Sequence, residues 1–429
     1  MTATATRPEE RIEHDSAAIE DARAANRLGL LRLAVTVLLI AGLSGVFHVG
    51  AAVLVVASIL LMIMLHEFGH FITARWAGMK VTDFFVGFGP TLWSVKRGDT
   101  RFGVKGFPIG GFVRVIGMNN LEEVDAADEP YTYRSKTYWQ RLRFAAAGST
   151  MHFFIAFVLM FVLLAGFGTE KSTTTLADVA ADRPAAIAGI RAGDTIVAID
   201  NTRITKWDQV REIISSSAGR ELTIKVEHGG QVRAVTMTAI DGRTAEEKAA
   251  GEPKRGIIGI ETKAETVKDA PLAAVWHSGF EVKTITVESA KALFGLFTPS
   301  SAKNYGQQLT KTGPVKPSEI KEDGNRLLSP LGLFRIAGAT ADSGVAAVLF
   351  LLIAINVFVG IFNMIPLPPF DGGHVAVATY EAIVSRVRGR RHMIDMGKLL
   401  PVAYMVVMAL ALLSVSALWL DIRHPFQVG

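Results

Sequence analysis

The chain contains no cysteine among its 429 residues. That absence excludes disulfide bonds and metal sites built from thiolates, so any metal must be held by histidine, aspartate or glutamate. The first 27 residues lack the basic start and the cleavage pattern of a signal peptide. Their mixed charge and alanine-rich composition predict a disordered cytoplasmic tail over residues 1–27.

Charge of either sign is missing from several long stretches, although half of the residues are hydrophobic and the mean hydropathy is +0.32. A helix needs about 20 apolar residues to cross a bilayer. The clustering of apolar residues therefore predicts an α-helical polytopic membrane protein with about five spans. We expect these spans at residues 28–47, 48–75, 144–168, 345–375 and 399–420.

The net charge of +5 is modest, and the basic residues concentrate in two of the intervening segments. Basic loops stay in the cytoplasm. Residues 76–143 and 376–398 are therefore predicted to be cytoplasmic, and the large loop after residue 168 is predicted to lie outside. This localised pattern indicates a multi-pass protein of the cell membrane and argues against a nucleic-acid-binding surface.

The large loop contains the signature of an α+β domain over residues 169–265. Trp207 to Ser216 has helical periodicity, and strands are predicted at Leu222–Val226 and Val232–Thr238, around a Gly-Gly turn. Residues 266–344 follow, with an amphipathic helix at Glu281–Phe297 that is expected to lie on the membrane surface. The sequence after this helix, from Thr298, is predicted to be irregular.

The cytoplasmic segment at 76–143 has two apolar stretches, at residues 84–90 and 104–115, that are broken by glycine and proline. Such sequences cannot form spanning helices and are typical of β-hairpins. Irregular or strand backbone is tolerated at membrane depth only where protein or a water-filled cavity satisfies its polar groups. The segment is therefore predicted to form hairpins that dip into the membrane.

The motif HEFGH at residues 66–70 lies at the end of an uncharged run from Gly50 to Leu65. Its histidines are four residues apart, so on a helix both imidazoles face one way and can bind one zinc ion, with Glu67 placed to act as general base. The alternative is a surface helix with two incidental histidines. That alternative requires unpaired histidines and a carboxylate in lipid, which is costly.

Catalytic zinc takes three protein ligands and keeps one open position. The third candidate ligand is Asp371, in the segment NMIPLPPFDGGH at residues 363–374, where three prolines and two glycines break the helix. A broken helix allows a carboxylate to point inward. The alternative is a plain helix end with a turn. His374 is either a residue that supports the ligands or an ordinary loop histidine.

Together, these segments resemble the site-2 proteases, which are intramembrane zinc metalloproteases, and in particular the bacterial branch that carries a PDZ domain. The resemblance rests on the motif at 66–70, the segment at 363–373 and the hairpin segments at 85–90 and 108–112. It covers the chain from about Leu54 to Ile422. Four of the predicted spans correspond to the family core, and the span at residues 28–47 is additional.

The resemblance implies a zinc cofactor and a set of functional residues. Zinc would be bound by His66, His70 and Asp371, with Glu67 as the catalytic base. Asn363 is implied to position or unwind the substrate, which is expected to add as a strand beside Gly110, Gly111 and Phe112. The active site is expected near the cytoplasmic face, and the domain at 169–265, where Ala180–Asp200 resembles the PDZ helix-turn-strand, is expected outside.

The implied partner is a single-pass membrane protein in the bilayer, such as an anti-sigma factor or a remnant signal peptide, cut in regulated intramembrane proteolysis. One alternative is a membrane-anchored PDZ scaffold with an inactive metal site. Another is a metal transporter, which would place its ligands along a path across the membrane. The sequence departs from the family at His152, where asparagine is usual. His152 is either a satisfied polar residue at a helix start or a group that acts near the site.

Overall fold

The computed structural model describes residues 50–119, 122–249, 251, 253–310 and 343–423, together with a few single positions, which are Gly29, Leu31, Val35, Ser329, Gly332, Arg335, Ile336 and Thr340. The chain divides into two compact units. We call residues Leu163–Ala274 the strand unit. The remainder, residues Met1–Val162 and Val275–Gly429, is the membrane unit.

Four helices of the described chain are long and apolar enough to cross a membrane, at Val53–Trp76, Tyr138–Phe167, Val345–Asn363 and Met396–Arg423. They confirm four of the predicted spans as apolar helices. The helices and strands of the membrane unit are α1 (Gly50–Trp76), β1 (Val81–Arg97), β2 (Thr100–Val115), α2 (Tyr138–Val162, continued by a π-helical turn at Leu163–Phe167), α6 (Pro271–Leu296), α7 (Pro299–Thr310), α8 (Val345–Asn363), α9 (Asp371–Arg388) and α10 (Leu400–Arg423). The predicted span at residues 28–47 lies outside the described residues, apart from three helical positions.

Helix α2 is central to the membrane unit and packs against α1, α8 and α9. Small residues allow the close approach of α1 and α2, because a Cβ on Gly69 would lie only 2.8 Å from the Ala147 carbonyl oxygen. Apolar side chains of α1 and α8 complete the packing, with Val55, Met62 and Leu352 buried together. The result is that α1, which carries the HEFGH motif, is held along its length.

The predicted hairpins are present as one sheet, in which β1 and β2 each bend back on themselves. Residues 81–86 pair both with residues 111–115 and with residues 101–104, while residues 91–97 pair with residues 100–105. The doubled pairing surrounds Phe85, which is 1% exposed and stacks on Phe112 at a centroid distance of 5.7 Å. Within the described chain no third strand joins this compact platform, and helix α1 packs against it.

Two predictions for the membrane unit are wrong. The spanning helix predicted to reach residue 375 ends at Asn363, and Asp371 begins a new helix, α9, where a basic loop was predicted from residue 376. The prolines between the helices remove backbone donors, so α8 cannot continue. Residues 299–310 form helix α7, although the sequence from Thr298 was predicted to be irregular.

The amphipathic helix predicted at Glu281–Phe297 is present but longer, since α6 begins at Pro271. Proline at a first helical position is favoured because its missing N–H would have no partner there in any case. Leu272, Trp276 and Phe280 on the added turns are exposed.

The strand unit contains a six-stranded sheet in the order β10-β3-β4-β6-β7, with β5 paired to β4. Its elements are β3 (Thr169–Val179), α3 (Pro184–Ile187), β4 (Thr195–Ile199), β5 (Thr202–Arg203), α4 (Trp207–Ser215), β6 (Glu221–His228), β7 (Gln231–Thr238), β8 (Ile240–Asp241), α5 (Ala245–Ala249), β9 (Gly256–Ile257) and β10 (Ile260–Val267). The predicted helix after Trp207 and the two predicted strands are confirmed. The core is aliphatic, with Ile196, Leu222 and Ile224 fully buried.

Candidate metal centre

Helix α1 and the start of α9 bring the three predicted ligands together. His66 and His70 lie one turn apart on α1, and their Nε2 atoms are 3.3 Å apart. Asp371 is the first residue of α9, and its Oδ2 lies 3.4 Å from His66 Nε2 and 3.2 Å from His70 Nε2. Within the described residues, this is the group of three histidine or carboxylate ligands whose atoms converge.

These distances fit a tetrahedral zinc site. Ligand atoms about 2.0–2.1 Å from a tetrahedral centre lie about 3.3 Å from one another. The three observed separations, from 3.2 to 3.4 Å, match that edge length. Asp371 Oδ2 is moreover buried without a hydrogen-bond partner among the described residues, which leaves its lone pairs for a cation. The donor set of two imidazoles and one carboxylate is a usual one for catalytic zinc.

The backbone orients one of the imidazoles. His70 Nδ1 lies 2.8 Å from the Phe144 carbonyl oxygen of α2, so Nδ1 carries the proton and donates to that oxygen. The lone pair is then on Nε2, which faces Asp371 and His66. A carbonyl that fixes the tautomer in this way is usual for metal-binding histidines.

Gly148 on α2 lies directly against both histidines. A Cβ added at this position would overlap the imidazole atoms of His66 and His70. The absent side chain therefore leaves the space in which the two rings converge on Asp371. Gly148 was not predicted from the sequence to be part of the site.

The predicted base and the predicted substrate-binding strand lie next to each other. Glu67 follows His66 on α1, and a Cβ on Gly111 of β2 would lie 3.0 Å from Glu67 Cγ. Gly110 and Phe112 flank this close approach. The structure thus brings the strand at 110–112 to the carboxylate. Asn363, at the end of α8, is half-buried, and its role stays a prediction.

His152 has a hydrogen-bonded partner that the sequence did not reveal. It lies in the interior of α2, not at a helix start as one reading expected, and its Nδ1 is 2.9 Å from Asn356 Oδ1 on α8. Asn356 Nδ2 donates to the Leu352 carbonyl oxygen at 2.9 Å, so its Oδ1 accepts from His152. The His152 ring is centred 4.9 Å from the His66 ring. His152 is therefore a satisfied polar group beside the ligands.

A buried ion pair joins the helix of Asp371 to α2. Arg141 Nη2 and Glu381 Oε2 are 2.5 Å apart, and their side chains are 8% and 5% exposed. Glu381 Oε1 also accepts from the Ile394 backbone N–H at 2.7 Å. His374 lines a small cavity with both members of the pair, and burial lowers the pKa of its imidazole. His374 thus lies beside this buried pair.

Two buried histidines on an apolar helix, a converging aspartate and a carboxylate next to the first histidine fit the site of a metallopeptidase. Sequence comparison agrees, because the profile of Peptidase family M50 matches residues 54–410. The chain belongs to this family.

Two similar proteins are the zinc metalloprotease Rip1 of Mycolicibacterium smegmatis and that of Mycobacterium tuberculosis. Each is 32% identical to this chain, and each match covers 88% of this chain and 98% of the relative. The similarity thus extends over nearly the full length of both relatives, and includes the strand unit.

Among solved structures, the PDZ domain of an SdrC-like protein from Listeria monocytogenes matches at 23% identity, with a TM-score of 0.18, over 22% of this chain and 90% of that chain. The PDZ domain of an SdrC-like protein from Listeria innocua matches at 23% identity, with a TM-score of 0.18, over 21% of this chain and 92% of that chain. TM-scores of this size carry no argument. The PDZ assignment of the strand unit stays a prediction.

Proposed function

We propose that the chain is a zinc metalloendopeptidase that hydrolyses peptide bonds in or beside the membrane-spanning segment of single-pass proteins, in regulated intramembrane proteolysis. The observation that carries the proposal is the convergence of His66 and His70, on the apolar helix α1, with Asp371 at separations of 3.2 to 3.4 Å. Anti-sigma factors and remnant signal peptides are substrates of the expected kind.

The proposed roles follow from the geometry. Zinc, when bound to the three ligands, polarises the substrate carbonyl and activates a water. Glu67 accepts the proton of the attacking water and passes it to the leaving amine. Phe144 holds His70 through its carbonyl oxygen, and Gly148 keeps the space beside the ligands open.

The substrate must be extended before its amide can react, because a helical amide is already hydrogen-bonded. Residues 111–115 pair with residues 81–86 along one edge, and within the described chain no strand pairs with the other edge. An extended peptide can add to such an edge through main-chain hydrogen bonds. Addition beside Gly110, Gly111 and Phe112 would bring its backbone close to Glu67, and Asn363 would help to hold it.

The proposal is tested by reconstituting the purified chain in vesicles with a single-span substrate. We expect cleavage by the wild type and its loss in Glu67→Gln. Intact substrate after incubation with the zinc-loaded wild type would contradict the proposal and favour a scaffold with an inactive site.

We further propose that the active site faces the cytoplasmic side of the cell membrane and that the strand unit lies outside. Support comes from the basic segments between spans. Arg390 and Arg191 are both exposed, and the absence of native cysteine allows single cysteines at either position. In intact cells, an impermeant thiol reagent should label Arg191→Cys and leave Arg390→Cys unlabelled until the cells are lysed. The reverse pattern would invert the topology.

The strand unit is proposed to be an outside PDZ domain that admits only substrates with a trimmed outer part. Thr169, at the start of β3, pairs with Val267, at the end of β10. A short Gly-Ser linker can therefore replace residues 169–267 without stretching the chain. The shortened protein should still bind zinc, since no proposed ligand lies in the strand unit. It should also cleave full-length substrates that the wild type spares.

The control for this prediction is a pre-trimmed substrate, which both proteins should cleave at similar rates. A shortened protein that is folded and zinc-loaded yet cleaves neither substrate would show that the strand unit belongs to the catalytic machinery, and would refute the filter role.

A further inference from the structure

Helix α9 has one face against the protein and another face that is largely exposed, on which the Tyr380 ring contacts the His392 ring at a centroid distance of 6.4 Å. Ala378 and Glu381 are buried, and Glu381 pairs with Arg141 of α2. Tyr380, Ile383 and Val387, spaced three and four residues apart, are 50%, 59% and 81% exposed. That spacing places the three apolar side chains in one stripe. We call it the α9 stripe.

Between residues 371 and 391 the exposed charged side chains are all basic, and the partly exposed Glu129 of a neighbouring segment lies near Arg391. Between residues 371 and 391 the acidic residues are Asp371 and Glu381, whose side chains are 19% and 5% exposed and whose contacts lie within the site and the ion pair. The basic residues of the same segment are all exposed, and they are Arg386, Arg388, Arg390 and Arg391. The outward-facing surface of α9 and its C-terminal end therefore combines apolar and cationic groups.

The neighbouring structure places α9 at the level of the membrane surface. Residues 364–370 and 389–399 are short connections to the spans α8 and α10, so α9 stays close to the face at which both spans end. Trp76 at the end of α1 and Trp139 at the start of α2 are 78% and 63% exposed. Exposed tryptophans at span ends are typical of the headgroup region.

We propose that α9 is a membrane-surface helix that docks on anionic lipid headgroups. The α9 stripe enters the boundary between headgroups and acyl chains, and the arginines at the C-terminal end contact lipid phosphates. Charge complementarity selects anionic lipid as the occupant, because the exposed charges of the segment are all positive. The same rigid helix begins at Asp371, so the lipid-docked surface and the proposed third metal ligand lie on one element.

The docking is tested on the full-length protein in vesicles of phosphatidylcholine with increasing phosphatidylglycerol. The chain has no native cysteine, so Ile383→Cys and Val387→Cys can each carry one environment-sensitive fluorophore. We expect a blue-shifted emission that grows with the anionic fraction and is quenched by a lipid with a quencher near its headgroup. A label at Arg203→Cys, exposed in the strand unit, should stay unquenched.

Charge removal gives the decisive comparison. In the labelled Val387→Cys protein, the triple change Arg386→Gln, Arg388→Gln and Arg390→Gln should raise the anionic fraction needed for half of the shift by at least about threefold, since each cationic side chain near such a surface adds roughly fivefold to the attraction before screening. The matched control removes three exposed charges from the strand unit, Arg191→Gln, Arg203→Gln and Lys225→Gln, and should leave the titration unchanged.

Two results would overturn the proposal. In one, the labels at 383 and 387 remain as water-exposed as the label at 203 at every anionic fraction, or the two triple variants titrate alike. In the other, the shift occurs in native membranes and never in vesicles made from purified lipids, which would show that the occupant is another protein. Neither reading depends on cleavage, so failure here is distinguishable from failure of the proposed proteolysis.

Discussion

Glu67→Gln should lower the rate of substrate cleavage by about 10²–10⁴-fold, which is the usual contribution of a general base. Glutamine has the shape of glutamate but cannot accept a proton from water. The carboxylate lies beside Gly111 and is not among the three converging ligands, so zinc binding and the fold should be retained. The measurement is the initial cleavage rate of a single-span substrate in vesicles, with zinc content determined on the same samples.

A matched control for this variant is Glu288→Gln on α6, because the Glu288 side chain is 64% exposed and pairs with Lys291 at the surface. It should cleave at the wild-type rate. Full retention of proteolysis in Glu67→Gln would show that this carboxylate takes no part in the chemistry, and it would contradict the protease assignment.

Asp371→Ala should lose zinc as well as activity. Loss of an outer partner of a ligand already costs about 10–100-fold in metal affinity, so removal of one of three direct ligands should cost more than about 100-fold. Asp371→Asn should be nearly as damaging, since a neutral amide is a poor zinc ligand. Zinc content per chain and competition with a chelator of known affinity provide the measurement.

The control for Asp371→Ala is Asp208→Ala, whose side chain is 87% exposed in the strand unit. It should keep the wild-type zinc content. If Asp371→Ala also kept its zinc, the third ligand would have to be another residue, and His152 and His374 are the first to substitute.

The three proposed ligands could be identified from the sequence because their signals are local. His66 and His70 are four residues apart on one helix, and the carboxylate follows the first of them. Asp371 was found through the prolines and glycines around it, although it starts a helix rather than ending one. The apolar spans were equally predictable, since length and hydropathy suffice to identify them.

The missed features depend on residues far apart in the chain. Residues 376–398 were predicted to be a basic loop between two spans, but helix α9 continues to Arg388, and Glu381 anchors it to Arg141, 240 residues away. His152 and Asn356 are 204 residues apart, and the sequence does not indicate that their side chains meet. Tertiary packing decides such elements, and a single sequence does not record which helices meet.

The platform of β1 and β2 shows the same limit within a short segment. Glycine, proline and apolar residues correctly predicted strands there, but not that residues 81–86 pair with two different stretches of β2. The alternation of apolar and polar residues determines which face of the sheet each side chain occupies. It does not determine how many neighbouring strands a backbone segment pairs with.

The central claim is that zinc-dependent hydrolysis takes place within or beside the bilayer, and the position of the cut tests it most directly. Mass spectrometry of the fragments released from a single-span substrate by the zinc-loaded wild type identifies the bond. The account predicts new termini inside the apolar segment or within a few residues of its cytoplasmic end, and none in the Glu67→Gln sample. A cut confined to the substrate's soluble outer domain, or the same termini in both samples, would contradict it.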